Sequence, residues 1–308
     1  MTSLGQGVRA VTQELRRLRE EGEEAVYVSN ETMDGLRKIL LPPPMIAAPA
    51  STSARPVAAS PEPARLPAAK PAPLPTKPAV PAQHAKPNVP GLPPAPEVKL
   101  PAGNKETRWN ALKQIVSDCP TCNANLNPEA QVVFGIGNVD ADLFLCGEAP
   151  GAEEEMQGEP FVGPAGDLLN KILAGAGLSR ESVYIGNVMN WRPKHDKAYG
   201  NRPPTIEEMN FCLPYLRAQI EVVEPKVILA LGRSAAAALV EPDPTVKMGA
   251  LRGRWWEFAG TPVMPTYHPS YLLHNPSNSA KRRVWEDVLL VMEKLDMPIS
   301  DKQRNFFR

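Results

Sequence analysis

An α/β fold is predicted for the last two thirds of this sequence: a three-layer α/β/α sandwich around a central, mostly parallel sheet. Two observations predict it. Apolar runs of strand length alternate with segments of helical periodicity beyond residue 105, the order expected of a parallel sheet covered on both faces. The apolar run at 143–146 stops at Gly147 and gives way to Gly, Pro and acidic residues that cannot fill a core. A buried strand there delivers a loop to the carboxyl edge of the sheet, where open α/β sheets bind ligands.

Three segments follow from composition. About half of the 36 prolines fall between residues 42 and 101, among Ala, Lys and Ser with almost no aromatic residue. Such a stretch buries too little apolar surface to offset its ordering entropy, so 42–104 is expected to be a disordered linker. It joins a short helical module over 1–41 to a domain over 105–308, roughly 200 residues, enough for one well-buried core. The formal net charge of zero leaves any nucleic-acid contact to a local groove rather than to bulk charge. No run of 18 apolar residues is present to cross a membrane and no apolar leader is visible, so a cytoplasmic protein is expected. Four cysteines, two of them in Cys119-Pro-Thr-Cys122, suit metal or cluster binding in a reducing compartment better than a disulfide framework.

Taken in order, Val8, Val11, Leu15 and Leu18 recur at spacings of three and four, which predicts an amphipathic helix over 6–21. A strand and helix follow over 25–41. A free helix this short is marginal in water, so its stripe docks either on its neighbour or on a protein partner. Beyond the linker, a helix over 109–116 leads into Cys119. Then come a strand over 143–146, a helix over 166–176, a strand over 183–188 and a helix over 205–223 opened by the capping box Thr205-Ile206-Glu207-Glu208. A strand over 226–231, a helix over 234–240, a strand region over 255–264 and a helix over 280–295 complete the pattern.

Glu148, Glu153, Glu154 and Glu155 crowd the loop after the 143–146 strand, beside Phe161. On composition alone this is a solvated acidic loop. The run Gly147-Glu148-Ala149-Pro150-Gly151, then Glu154, then Gly158-Glu159-Pro160-Phe161-Val162-Gly163-Pro164-Ala165-Gly166 resembles the first signature of the family-4 branch of the uracil-DNA glycosylase superfamily. Tyr267-His268-Pro269-Ser270-Tyr271-Leu272-Leu273 is similar to that family's His-Pro-Ser motif. The resemblance covers residues 109–295 and does not reach the first hundred.

Removing uracil requires an aromatic face to stack on, an amide to read the base edge, and a donor aimed at O2 to stabilise the departing anion. By resemblance, Phe161 stacks, Asn187 reads the edge and His268 stabilises the uracilate. Glu148 activates the water and Glu154 assists, while Gly147, Pro150 and Gly151 shape the loop. Singly, such residues are more often a core aromatic, a turn amide and a structural His; together, in the family's order, they favour function. Glu153 and Glu155 are expected to be solvated. Leu272 and Leu273 sit where the family carries a wedge that enters the duplex, and a hydrophobic helix start accounts for the same pair. Ser270, Lys281, Arg282 and Arg283 are placed to hold phosphates, or form a solvated face.

The resemblance implies a DNA-repair hydrolase, monomeric and monofunctional, that acts on uracil-containing DNA and leaves an abasic site. Two alternatives are a nucleic-acid-binding member with weak turnover and a covalent abasic-site trap using His195, although the Arg-Ile-His tripeptide of that related branch is absent. It also implies a [4Fe-4S] cluster on four cysteines. Cys119, Cys122 and Cys212 match three of them, but Trp191 occupies the remaining position. An indole N–H has no lone pair to offer iron. Retention of three thiols favours a cluster with His195 or an outside ligand at the fourth iron; the alternative is Trp191 as an apolar plug.

Overall fold

The structure is a computed structural model that describes residues 91–194, 200–243 and 245–308. The predicted elements over 6–21 and 25–41, the linker up to residue 90, and His195 lie outside the described residues.

Six strands, β1 (Ile136–Gly137), β2 (Leu143–Gly147), β3 (Tyr184–Asn187), β4 (Val227–Leu231), β5 (Trp256–Phe258) and β6 (Thr261–Thr266), form one sheet in the order β1-β3-β2-β4-β6-β5. The inner four are parallel, with Leu145 of β2 between Ile185 of β3 and Leu229 of β4. The outer two pair antiparallel. The strand region expected over 255–264 is a hairpin, β5 turning into β6 through Ala259 and Gly260 at φ 50° and 84°, the left-handed pair that a tight hairpin turn demands.

Every residue of β2 and β4 is buried, as their unbroken apolar sequences require in a sheet covered on both faces. Side chains alternate between the two halves of the core: Phe144 and Cys146 enter one, Leu143 and Leu145 the other.

The helices among the described residues are α1 (Lys105–Ser117), α2 (Pro120–Ala124), α3 (Ala152–Gln157), α4 (Pro164–Ala176), α5 (Ile206–Val223), α6 (Arg233–Leu239), α7 (Met248–Leu251), α8 (Pro269–His274), α9 (Asn278–Lys294) and α10 (Asp301–Arg304). Leu112 of α1, Cys122 of α2, Phe211 of α5 and Ala235 of α6 close the first half of the core. Leu169 of α4, Leu272 of α8 and Val288 of α9 close the second. The capping box forms as the sequence predicts: Glu208 N–H donates to Thr205 Oγ1 at 3.2 Å and Thr205 N–H to Glu208 Oε2 at 2.8 Å.

The end of the expected linker belongs to the domain. Leu92, Val98 and Leu100 lie partly buried against the first half of the core, and Asn104 Oδ1 caps α1 by accepting from Thr107 N–H at 2.8 Å. Alternating Pro and aliphatic residues conceal this in the sequence, because an extended strap has no period of its own.

Candidate active site

The four parallel strands end at one edge of the sheet, and each hands a residue to a single cavity of about 420 Å³: Glu148 after β2, Asn187 at the end of β3, Gly232 after β4 and His268 after β6. Because β2 lies between β3 and β4, the chain leaves it on one side for β3 and reaches β4 on the other. The cavity therefore sits where the strand order reverses, the place at which such sheets bind ligands.

Gly147 forms the floor. A Cβ there would stand 2.3 Å from Asn187 Oδ1 and 2.6 Å from Phe161 Cζ, so only glycine lets the amide and the ring meet. Asn187 is 6% exposed, and its Oδ1 is buried without a hydrogen-bond partner. An orphaned acceptor at the floor of a cavity costs about 1–3 kcal/mol unless a ligand satisfies it.

Phe161 is buried with its backbone at φ 56°, a left-handed conformation that bulky residues rarely adopt. Arg180 holds it there, one guanidinium nitrogen donating to Phe161 O at 3.0 Å and another to Pro160 O at 2.8 Å. The Phe161 ring lies 5.5 Å from the His268 ring at an interplanar angle of 28°.

His268 is the N-cap of α8. Its Nδ1 accepts from Ser270 N–H at 3.2 Å and meets Ser270 Oγ at 2.8 Å. With Nδ1 used as acceptor, a neutral ring carries its proton on Nε2. Burial lowers the His268 pKa from 6.5 to about 4, which keeps the ring neutral at physiological pH. Ser270, expected as a phosphate ligand, is thus placed on the imidazole.

Glu148 receives a hydrogen bond from Ser234 Oγ at 2.5 Å. Burial raises its pKa and this bond pulls it back. Glu154 also lines the cavity; burial raises its pKa, against backbone groups of Glu154 and Gly151 that lower it. Pro150 and Gly151 carry the chain from Glu148 into α3 and line the same wall.

Three expectations are corrected. Glu155 is not solvated: it is 4% exposed and holds Arg192 Nη1 at 2.8 Å and Asn127 Nδ2 at 2.7 Å, a buried pair that ties α3 to the chain after β3. Leu272 is 5% exposed and packed in the core, so it is not free to enter a duplex; Leu273, 44% exposed, lines the cavity. Arg282 is committed to Glu286 Oε1 and to the carbonyls of Arg304 and Phe306, where it fixes the C-terminal segment. Neither it nor Lys281 or Arg283 lines the cavity.

Sequence reading missed Ser234, Arg180 and the pair Asn201 and Arg202 on the cavity wall. Ser234 had a signal in its position, just after a strand at the carboxyl edge. Arg180 had none, since its partners are main-chain carbonyls about twenty residues away.

The cysteines lie away from the cavity, in the half of the core that Phe144 and Cys146 of β2 enter. Cys119 Sγ accepts from Cys122 N–H at 3.3 Å and is hydrogen-bonded to the Tyr215 hydroxyl and the Cys122 thiol, and the free thiols of Cys122 and Cys212 are hydrogen-bonded to each other. Trp191 is 1% exposed and belongs to the same buried cluster. Cys146 faces the core, as expected, and its thiol pKa is raised by burial. Three thiols and an indole do not fit a four-ligand cluster, and among the described residues no group of three or more His, Cys, Asp or Glu is placed to hold a metal ion.

Comparison with known proteins bears on the cavity. The sequence model of the uracil DNA glycosylase superfamily matches residues 134–289. The chain is 42% identical over 185 residues to the Type-4 uracil-DNA glycosylase of Thermotoga maritima, covering 60% of this chain and 93% of that protein. It is 39% identical over 178 residues to the Type-4 uracil-DNA glycosylase of Archaeoglobus fulgidus, covering 56% and 85%. Similarity to the Type-5 uracil-DNA glycosylase of Pyrobaculum aerophilum is lower, 29% over 151 residues, covering 44% and 64%.

Proposed function

The chain belongs to the uracil DNA glycosylase superfamily, and from that premise we propose how its cavity excises uracil from DNA and leaves an abasic site. The observation that carries the assignment of the pocket is Asn187: its buried, unpartnered Oδ1 beside the Phe161 ring is the acceptor that uracil N3–H needs. The Nδ2 of the same amide donates to O4. Cytosine, which carries an amino group at C4 and no proton at N3, leaves both amide atoms unpaired and is rejected.

A uracil turned out of the duplex stacks on Phe161, with O2 towards His268. As the C1′–N1 bond breaks, its electron pair leaves with the base, and negative charge spreads onto O2. Neutral His268 donates Nε2–H to that oxygen, and a donor fixed in a desolvated site stabilises the charge without reorganisation. Glu148 accepts the proton of the water that attacks C1′, and its carboxylate lies near the positive charge on the sugar. Glu154 assists as a second carboxylate on the wall, and Leu273 is the wedge that fills the vacated stack. The chain acts on DNA as a cytoplasmic monomer, with the segment before the domain left for a protein partner; no helix among the described residues is long and apolar enough to cross a membrane.

An oligonucleotide with a single uracil, assayed under single-turnover conditions, tests this. Glu148→Gln and His268→Ala are each expected to slow release by roughly 10²–10³-fold with DNA binding retained, because both groups act on charge formed in the transition state. Wild-type rates in both variants would refute the assigned roles. Protein bound covalently to the strand in a denaturing gel would replace hydrolysis by trapping.

A further inference from the structure

We infer that the corner between α1, α2 and α5 is an apolar core sealed by Trp191, and that this chain folds and works without the iron–sulfur cluster its resemblance implies.

The number of ligands is the first ground. A cuboidal cluster takes a ligand with a lone pair at each iron, and an indole offers only an N–H. The disposition of the thiols is the second. Cys122 and Cys212 are free thiols hydrogen-bonded to each other, and Cys119 is engaged by the Cys122 thiol and amide and by the Tyr215 hydroxyl. Buried, free and hydrogen-bonded among themselves, these thiols need no inorganic core to satisfy them. They pack as small hydrophobes instead.

The third ground is the space filled. Trp191 is 1% exposed and meets Phe211 edge to face at 5.9 Å, and Phe211 continues onto Tyr215 at 6.4 Å. A tryptophan so placed buries about 150–250 Å² of surface. Side chains also tie the helices of this corner to each other. Lys105 Nζ of α1 donates to Val223 O at 2.7 Å, and Arg108 pairs with Glu221 of α5 at 2.5 Å.

The test is iron and sulfide analysis of the full chain, produced in iron-replete cells and purified anaerobically, with uracil release measured on the same sample. Active protein with substoichiometric iron and sulfide and no visible absorbance is the expected result. Stoichiometric iron with sulfide would overturn the inference, and its loss in His195→Ala would name the fourth ligand. Iron-free protein that gains activity only after anaerobic reconstitution would overturn it too. A second measurement is stability: an iron chelator should leave Tm unchanged, whereas Trp191→Ala should lower it by roughly 10 °C through the cavity left behind. A chelator-induced fall in Tm would count against the plug. The iron analysis does not depend on turnover, so its failure leaves the assigned reaction standing.

Discussion

Ser234 and Arg180 shape the site through other residues. The Ser234 hydroxyl lowers the Glu148 pKa against the burial that raises it. Since Glu148 works as the carboxylate, Ser234→Ala removes the lowering influence, and the acid limb of the kcat/KM profile is expected to move to higher pH. An unchanged limb would show that the acid limb belongs to another group. Arg180 holds the Phe161 backbone in its left-handed conformation. Arg180→Ala should reduce kcat/KM on the order of ten-fold, a loss of about 1.4 kcal/mol, and Arg180→Lys should recover part of it. A mere drop in Tm with kcat/KM intact would reduce Arg180 to a structural residue. At this scale, Phe161, Asn187 and His268 were legible in the sequence through motifs that resemble the family's, since singly they read as a core aromatic, a turn amide and a structural His. Glu155 was not, because its burial depends on Arg192, thirty-seven residues on.

Secondary structure was legible wherever an element had a period or a cap long enough to read. The uninterrupted apolar runs of β2 and β4 and the capping box of α5 are such cases. The helices α3 and α8 have six residues each, fewer than two turns, and show no periodicity to find. Without α8 in view, Leu272 and Leu273 looked equivalent, yet successive positions on a helix point about 100° apart. One faces the core and the other the cavity. Leu272→Ala is expected to cost about 2–5 kcal/mol of stability. Leu273→Ala should leave stability within about 0.5 kcal/mol and slow excision from duplex DNA more than from single strands. Equal effects on both substrates would remove Leu273 as the wedge.

For the domain as a whole, the strap before α1 sets where a shortened chain can begin. A chain starting at residue 91 keeps Leu92, Val98 and Leu100 on the core. It is expected to retain full uracil release and the melting temperature of the full chain. A start at residue 105 removes those contacts and the Asn104 cap, at a cost of several kcal/mol by the burial of three partly covered aliphatic residues and one cap. Identical unfolding curves for the two would show that the strap contributes nothing. The architecture of this domain was readable because a parallel sheet imposes one alternation along its length; the strap was not, because nothing repeats in it. The sheet's borders have a consequence of their own. Its outermost strands are two and three residues long, so a stray chain finds no row of free amides and carbonyls on which to extend the sheet. Crowded solutions of the folded domain should therefore resist fibrillar growth.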